Sequence, residues 1–147
     1  MKNTKIFGIY GESNSGKTNL ITKIIEILIE KGKIITTIKI SDHKMNFDKK
    51  GKDTYLHRKA GAELVVFSSD FETNFLFNNK IKLDSILKLI KKFDNYDYIL
   101  IEGARDKKIP KIKIGEIPDR ENTIIKYDGD IEKIIELMEK WGENKKK

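Results

Sequence analysis

Residues 11–18, with the sequence GESNSGKT, have the residue types and the spacing that bind a phosphate group. Gly11 and Gly16 allow the backbone to fold closely around an anion, because neither carries a Cβ atom. Lys17 places a positive charge where the β- and γ-phosphate oxygens would lie, and Thr18 adds a hydroxyl group suited to Mg²⁺. The pattern therefore predicts a loop that holds the phosphates of a nucleoside triphosphate.

The backbone of this loop is expected to bind the nucleotide as much as its side chains do. The N–H groups from Ser13 to Thr18 are predicted to point at the β-phosphate, at the positive end of the helix that follows. Lys17 is also a candidate catalytic residue. An ordinary glycine-rich turn that opens a helix is the alternative. The predicted nucleotide contacts are Gly11, Ser13, Asn14, Ser15, Gly16, Lys17, Thr18 and Asn19.

Carboxylates follow two of the predicted strands. Glu102 is the last residue but one of the stretch YDYILIEG, and Asp42 follows the strand predicted at 33–40 together with His43. Ligands of open α/β sheets bind at the carboxyl ends of the strands, so both acids are expected at the edge that carries the phosphate loop. Glu102 is predicted to hold Mg²⁺ or to orient the attacking water, and Asp42 to be a second metal ligand; a surface salt bridge is the alternative for Glu102. His43 fits a loop histidine better than a catalytic one.

A base-reading site is suggested by the sequence IKYD at 125–128. Lys126 is placed to lie over a purine, and Asp128 to accept hydrogen bonds from guanine N1 and N2. Ile125 stands where a guanine-reading pattern has Asn or Thr. The residues alone therefore leave the choice between GTP and ATP open.

Strands and helices alternate along the chain in a way that predicts an α/β protein. The expected fold is a three-layer P-loop NTPase fold with a mainly parallel sheet flanked by helices. Residues 71–77 are ambiguous, and 103–120 show no clear periodicity. The predicted strands are 5–10, 33–40, 62–69, 96–103 and 123–127, and the predicted helices are 18–31, 53–60, 83–93 and 131–141.

Length and composition fit one domain at 1–142 with a disordered basic tail at 143–147. The chain of 147 residues has no cysteine, and its longest apolar run of about five residues is far too short to cross a bilayer. A cytoplasmic protein without membrane contact is expected. The net charge of +7 arises mainly from lysine spread among acids, which favours a solvated surface over a nucleic-acid surface.

These motifs together resemble the molybdopterin-guanine dinucleotide biosynthesis protein B family, a group of P-loop GTPases. The most specific part is TIKISDHKMNFDKKGKDTYLHRKAGA at 37–62, followed by Glu102-Gly103 and then Pro110-Lys111-Ile112. This chain has Ile40 and Asp42 where the family usually has further histidines, Ala104 in place of an aromatic residue, and Arg105 in place of lysine. Positions in register with the family within 37–62 are Lys39, His43, Asp48, Gly51, Lys52, Asp53, Arg58, Gly61 and Ala62.

The resemblance implies a homodimeric, weakly active GTPase that uses GTP and Mg²⁺. Such a protein assists attachment of GMP to molybdopterin beside a guanylyltransferase, and it can contact molybdopterin or its guanine dinucleotide. No water-orienting glutamine or arginine finger is evident, which predicts slow hydrolysis. The basic loop 43–59 is either a binding site for an acidic cofactor or partner or a solvated loop. Two other hypotheses remain: an ATP-dependent small-molecule kinase with Asp42 or Glu102 as its base, and an adaptor that scarcely hydrolyses nucleotide.

Overall fold

Two units make up the chain in the computed structural model, which describes residues 3–43 and 47–143. The first unit comprises 1–41 and 94–147, and the second comprises 42–93. The expectation of a single domain at 1–142 therefore stays a prediction. The predicted disordered tail lies outside the described residues apart from Glu143.

Seven strands and four helices are found in the described residues. In chain order they are β1 (Lys5–Tyr10), α1 (Lys17–Glu30), β2 (Ile35–Lys39), α2 (Asp53–Lys59), β3 (Leu64–Ser68), β4 (Thr73–Phe77), α3 (Leu83–Phe93), β5 (Tyr98–Glu102), β6 (Lys111–Lys113), β7 (Thr123–Lys126) and α4 (Ile131–Lys140). None of the helices in this described part of the chain is long and apolar enough to span a membrane.

The first unit is built on a five-stranded sheet in the order β2-β5-β1-β6-β7, and every neighbouring pair is parallel. Parallel pairing brings the carboxyl ends of all five strands to one edge. Strand β1, which leads into the phosphate loop, lies at the centre of that edge. The predicted class, a mainly parallel sheet flanked by helices, is confirmed.

One face of this sheet is covered by α1 and α4. Helix α1 turns its apolar residues to the sheet at the three- and four-residue spacing of an amphipathic helix, so that Leu20, Ile21, Ile24 and Leu28 are buried. They pack in one core with residues of α4 and alternate residues of the strands. The strand residues of this core include Phe7, Ile9, Tyr98, Leu100 and Ile112, and the α4 residues are Ile134, Ile135 and Met138.

Strand β6 lies in the stretch without clear periodicity, and the sequence did not predict it. It is three residues long, and the two lysines of its sequence KIK are typical of an exposed segment, although Lys111 is fully buried. It fills the position between β1 and β7. Without it, β7 would have no partner in the sheet.

The second unit contains α2, α3 and a separate two-stranded sheet of β3 and β4. The strand predicted at 62–69 is present as β3, and the ambiguous stretch 71–77 contains β4; the two form an antiparallel hairpin instead of extending the parallel sheet. The reason is the four-residue connection, 69–72, because a short turn joins antiparallel strands whereas a parallel crossover needs a dozen or more residues.

Asp48 connects the loop before α2 to helix α2, at the beginning of the second unit. The side chain of Thr54 donates a hydrogen bond of 3.0 Å to Asp48 Oδ1, and Arg58 Nη1 lies 3.9 Å from Asp48 Oδ2. Both charged side chains are largely buried. This contact connects the loop before α2 to the last turn of that helix.

Candidate functional site

The loop between β1 and α1 has the close backbone packing that a phosphate loop requires. A Cβ atom added to Gly11 would lie 2.6 Å from Ser15 Oγ and 2.7 Å from the backbone oxygen of Ile114, so only glycine fits there. Gly16 has a φ of 93°, in the left-handed region that glycine adopts without strain, and it caps α1. Both glycines that defined the motif are therefore explained by the geometry.

Lys17 curls back over the start of its own loop. Its Nζ donates hydrogen bonds to the backbone oxygens of Gly11 at 3.0 Å and Glu12 at 2.5 Å. These are neutral acceptors, and a phosphate oxygen is a stronger, charged acceptor for the same ammonium group. The lysine is thus held beside the loop by contacts that a bound phosphate can replace.

Ser15 provides an independent sign that the loop fits an anion. Its hydroxyl is buried and has no hydrogen-bond partner among the described residues. Its backbone N–H donates to Glu12 O at 3.2 Å, which closes a turn that places Asn14 at a φ of 60°. A buried hydroxyl without a partner is costly, and a phosphate oxygen would satisfy it.

Glu102 lies at the carboxyl end of β5, directly beside the strand that leads into the loop. It is in register with Ile9 of β1 on one side and with Lys39 of β2 on the other. Its side chain is 17% exposed, and its Oε1 lies 3.9 Å from Lys39 Nζ. The sequence therefore placed this carboxylate at the correct edge of the sheet, and Lys39 adds a cation beside it.

The turn after Glu102 fixes the position of the carboxylate. Gly103 has a φ of 81°, its N–H donates to Ile9 O at 2.8 Å, and an added Cβ atom would lie 2.7 Å from Ile40 O. The backbone is held from both neighbouring strands, and no other residue type fits without displacement of Ile40. This explains why glycine follows the glutamate.

The remaining candidate ligands have exposed side chains or belong to the second unit. The side chains of Thr18 and Asn19 are exposed, and their backbone oxygens accept hydrogen bonds from Thr22 Oγ1. Asp42 and His43 belong to the second unit, so their roles stay predictions. Within the described residues there is no group of three or more His, Cys, Asp or Glu side chains that could hold a metal ion. A Mg²⁺ ion here would need phosphate oxygens beside the hydroxyl of Thr18 and the carboxylate of Glu102.

The candidate base-reading residues lie at the same edge, at the end of β7. Lys126 pairs with Glu116, and Asp128 accepts hydrogen bonds of 3.0 Å from the N–H of Asp130 and from Lys133 Nζ. These bonds, the backbone bond from Asp130 first, lower the pKa of Asp128. The carboxylate is thus kept ionised and oriented.

The sequence did not show that two basic residues, Lys111 and Arg120, hold the backbone near the site. Lys111 is fully buried, and its Nζ donates to the backbone oxygens of Asp106, Ile109 and Glu121; burial lowers its pKa. Arg120 donates through Nη1 to the backbone oxygens of Gly103 and Ala104. The carbonyl groups bound by Lys111 lie 2, 5 and 10 residues away in the sequence, and those bound by Arg120 lie 16 and 17 residues away. No residue pattern predicts such contacts, because every residue type has a backbone oxygen.

This combination of a phosphate loop after the first strand of a parallel sheet and a carboxylate at the end of the adjacent strand defines a P-loop nucleotide-binding protein. Its particular group follows from its sequence. Residues 6–137 match the family model described as Molybdopterin guanine dinucleotide synthesis protein B, or MobB. The chain therefore belongs to the MobB family.

Relatives in bacteria carry the name molybdopterin-guanine dinucleotide biosynthesis adapter protein. The Haemophilus influenzae protein is 38% identical over 109 residues, and the Escherichia coli protein is 35% identical over 103 residues. The matches cover 73% and 68% of this chain but only 61% and 59% of those relatives. A Methanocaldococcus jannaschii protein, 38% identical over 112 residues, is matched over 74% of this chain and 46% of its own length.

Solved structures show the same fold. The crystal structure of Bacillus subtilis MobB superposes with a TM-score of 0.71 at 20% identity, over 91% of this chain and 98% of that one. A crystal structure of molybdopterin-guanine biosynthesis protein B gives a TM-score of 0.61 at 23% identity, over 90% and 95%. At these identities the likeness extends to the fold alone.

Proposed function

We propose that this protein is a GTP-binding accessory protein of molybdenum cofactor biosynthesis, with slow GTPase activity, that assists formation of molybdopterin guanine dinucleotide. The observation that carries the proposal is the phosphate loop. Lys17 is held there by hydrogen bonds to the backbone oxygens of Gly11 and Glu12, which a phosphate can replace, and Ser15 Oγ is buried without a partner among the described residues. The names of the relatives supply the pathway. A cytoplasmic location belongs to the same proposal.

Calorimetric titration with GTP in the presence of Mg²⁺ tests the phosphate loop. Lys17→Ala is expected to abolish triphosphate binding while the protein stays folded, because it removes the cation at the β- and γ-phosphates. Lys23→Ala is the matched control, since Lys23 is an exposed lysine on the same helix. Unchanged affinity in Lys17→Ala would refute the assignment of the loop.

Guanine is the base that Asp128 is suited to read. An ionised carboxylate has about four acceptor positions, and each of its oxygens here uses one, for Asp130 N–H and for Lys133 Nζ. One position remains on each oxygen, enough to accept from both N1–H and the 2-amino group of guanine. The titrations therefore compare three nucleotides: GTP, inosine triphosphate and ATP. Inosine triphosphate lacks the 2-amino group, and ATP offers neither donor at these positions. The affinity should be highest for GTP, lower for inosine triphosphate and lowest for ATP. Tighter binding of ATP would favour the kinase hypothesis.

Mg²⁺ is proposed to bind between the nucleotide phosphates, the hydroxyl of Thr18 and the carboxylate of Glu102. Bound there, the metal would neutralise charge that develops on the phosphate oxygens. Glu102→Gln should keep nucleotide binding and lose most Mg²⁺-dependent hydrolysis. Glu26→Gln, an exposed glutamate of α1, is the control. A wild-type hydrolysis rate in Glu102→Gln would remove Glu102 from the site.

A homodimer is also proposed, and an apolar face of the β3–β4 hairpin supports it. The cross-strand pairs Leu64–Phe77 and Val66–Phe75 lie on one face, and all four side chains are between 37% and 49% exposed. A second copy can cover such a face with its own identical face. Sedimentation analysis of Val66→Lys should show a monomer, whereas Ile29→Lys, an exposed apolar residue of α1, should keep the wild-type mass. A monomeric wild-type protein would refute the dimer.

The proposed partners are the guanylyltransferase and molybdopterin or its guanine dinucleotide. The second unit contains a cavity of about 760 Å³ whose lining has apolar side chains such as Phe67 and Leu76 and charges of both signs, from Lys49, Lys52, Asp48, Asp53 and Glu72. We propose that the apolar walls bind the ring of a phosphorylated heterocycle and that the two lysines bind its phosphate. GTP turnover should rise when the guanylyltransferase and molybdopterin are added. Unchanged turnover together with stimulated dinucleotide formation would indicate an adaptor that does not use hydrolysis.

A further inference from the structure

Arg120 contacts the turn that follows the candidate metal ligand. Its Nη1 donates hydrogen bonds to the backbone oxygens of Ala104 at 2.8 Å and Gly103 at 3.4 Å. Ala104 is fully buried. Glu102 immediately precedes these two residues, so the guanidinium group holds the backbone on the carboxyl side of this carboxylate.

The same arginine contacts the end of the strand that leads into the phosphate loop. Its guanidinium carbon lies 4.6 Å from the centre of the Tyr10 ring, and its backbone N–H donates to Tyr10 Oη at 2.9 Å. Tyr10 is 1% exposed and directly precedes Gly11. Tyr10 Oη and Thr123 Oγ1 lie 2.6 Å apart, and Thr123 Oγ1 donates to Arg120 O at 2.6 Å, so the arginine is itself anchored to β7.

We propose that Arg120 is a positioning residue of the nucleotide site, which fixes the distance between the Glu102 carboxylate and the phosphate loop by binding the backbone after Glu102 and the side chain of Tyr10 at once. The inference rests on the proposed role of Glu102 toward Mg²⁺. It assigns to Arg120 no contact with nucleotide or metal. Its effect passes through Glu102 alone.

Arginine is required for these contacts. A planar guanidinium group can stack on the Tyr10 ring and donate to two carbonyl groups from one edge, whereas an ammonium group is a compact point charge without a flat face. An uncharged residue at 120 would leave the carbonyl oxygens of Gly103 and Ala104 without a charged donor, and lysine would lack the flat face that stacks on Tyr10. We therefore expect Arg120→Lys to restore only part of the wild-type behaviour.

The Mg²⁺ dependence of GTP binding separates positioning from a general effect on folding. Supporting residues behind metal ligands typically change metal affinity by about 10- to 100-fold. Arg120→Met should therefore raise by about tenfold or more the Mg²⁺ concentration that gives half of the full increase in GTP affinity. The GTP affinity measured without Mg²⁺ should stay within about twofold of wild type. Lys107→Met, an exposed lysine paired with Glu121, is the control and should match wild type in both measurements.

A double-mutant cycle with Glu102→Gln provides the decisive comparison. If Arg120 acts through Glu102, adding Arg120→Met to Glu102→Gln should shift the Mg²⁺ dependence no further. An additive shift, or equal weakening of GTP binding with and without Mg²⁺, would overturn the inference. Urea unfolding checks that each variant is folded, and Arg120→Lys replaces Arg120→Met in the cycle if the latter does not fold.

The cycle also distinguishes this inference from the proposed function. A wild-type Mg²⁺ dependence in Glu102→Gln would overturn the metal role of Glu102, and the inference with it. A changed Mg²⁺ dependence in Glu102→Gln, combined with an additive effect of Arg120→Met, would leave the proposed function standing and refute only the role of Arg120.

Discussion

Replacement of Ser15 by alanine should have opposite effects on the free protein and on its nucleotide complex. In the free protein the Ser15 hydroxyl is buried and has no hydrogen-bond partner among the described residues. Ser15→Ala removes this polar group and leaves its backbone N–H bond to Glu12 in place. The free energy of unfolding without nucleotide should therefore stay the same or increase.

The magnitude follows from the cost of an unpaired hydroxyl group. A buried donor or acceptor without a partner costs about 1–3 kcal/mol, so the free protein gains up to roughly that amount, less the small loss of packing around one oxygen atom. A hydrogen bond to a charged phosphate oxygen contributes about 1.5–3 kcal/mol. Its loss should weaken nucleotide binding roughly 10- to 150-fold, since each 1.4 kcal/mol is about a factor of ten.

Urea unfolding without nucleotide and calorimetric titration with nucleotide measure the two effects separately. Ser13→Ala is the matched control, because the Ser13 side chain is exposed and its predicted contact with the phosphate is made by the backbone N–H, which alanine keeps. A fall of more than about 1 kcal/mol in the unfolding free energy of Ser15→Ala, together with unchanged nucleotide affinity, would refute the reasoning. Such a result would mean that the hydroxyl is satisfied within the protein and does not reach the phosphate.

Three further predictions concern the strands and loops that hold the site. Gly8→Ala should cost about 1–3 kcal/mol in urea unfolding, because its Cβ would lie 2.5 Å from that of Ala104, and adding Ala104→Gly should recover part of the loss. Lys111→Met should cost at least about 2 kcal/mol in the same assay, since three backbone oxygens lose their donor. The hydrogen bond from Lys126 lowers the pKa of Glu116 in the folded protein. The free energy of unfolding should therefore differ between wild type and Glu116→Gln above the unfolded glutamate pKa of about 4.3. The difference should disappear as the pH falls through the lower pKa of the folded protein. A difference that persists in acid would contradict this.

The local elements of the site were predictable because their signals are contiguous. The strand at 5–10, the glycine spacing of 11–18 and the apolar repeat of α1 each follow from neighbouring residues, and the structure places them as expected. Glu102 was predictable for a related reason. A run of buried residues ending in a carboxylate identifies the end of an interior strand, and parallel sheets bring such ends together.

The remaining features depend on contacts with backbone oxygens or between residues far apart in the sequence. β6 contains two lysines in three residues, and its sequence could not reveal that Lys111 would be buried by binding three carbonyl groups. Arg120 lies 110 residues from Tyr10, and its partners at 103 and 104 are backbone atoms of any residue type. Hydrophobic periodicity carries no information about such contacts.

The small residue at Ala104 can be understood from the strand beneath it. Ala104 is fully buried, and its methyl group occupies the space that a side chain at Gly8 would need. An aromatic ring at 104 would require room on this face that Lys111 and Ile109, the other neighbours of Gly8, already fill. The small residue at 104 thus matches the glycine at 8. With Ala104 packed against Gly8, the backbone hydrogen bonds of Gly103 to Ile9 and Arg120 hold Gly103, and therefore Glu102, beside the phosphate loop.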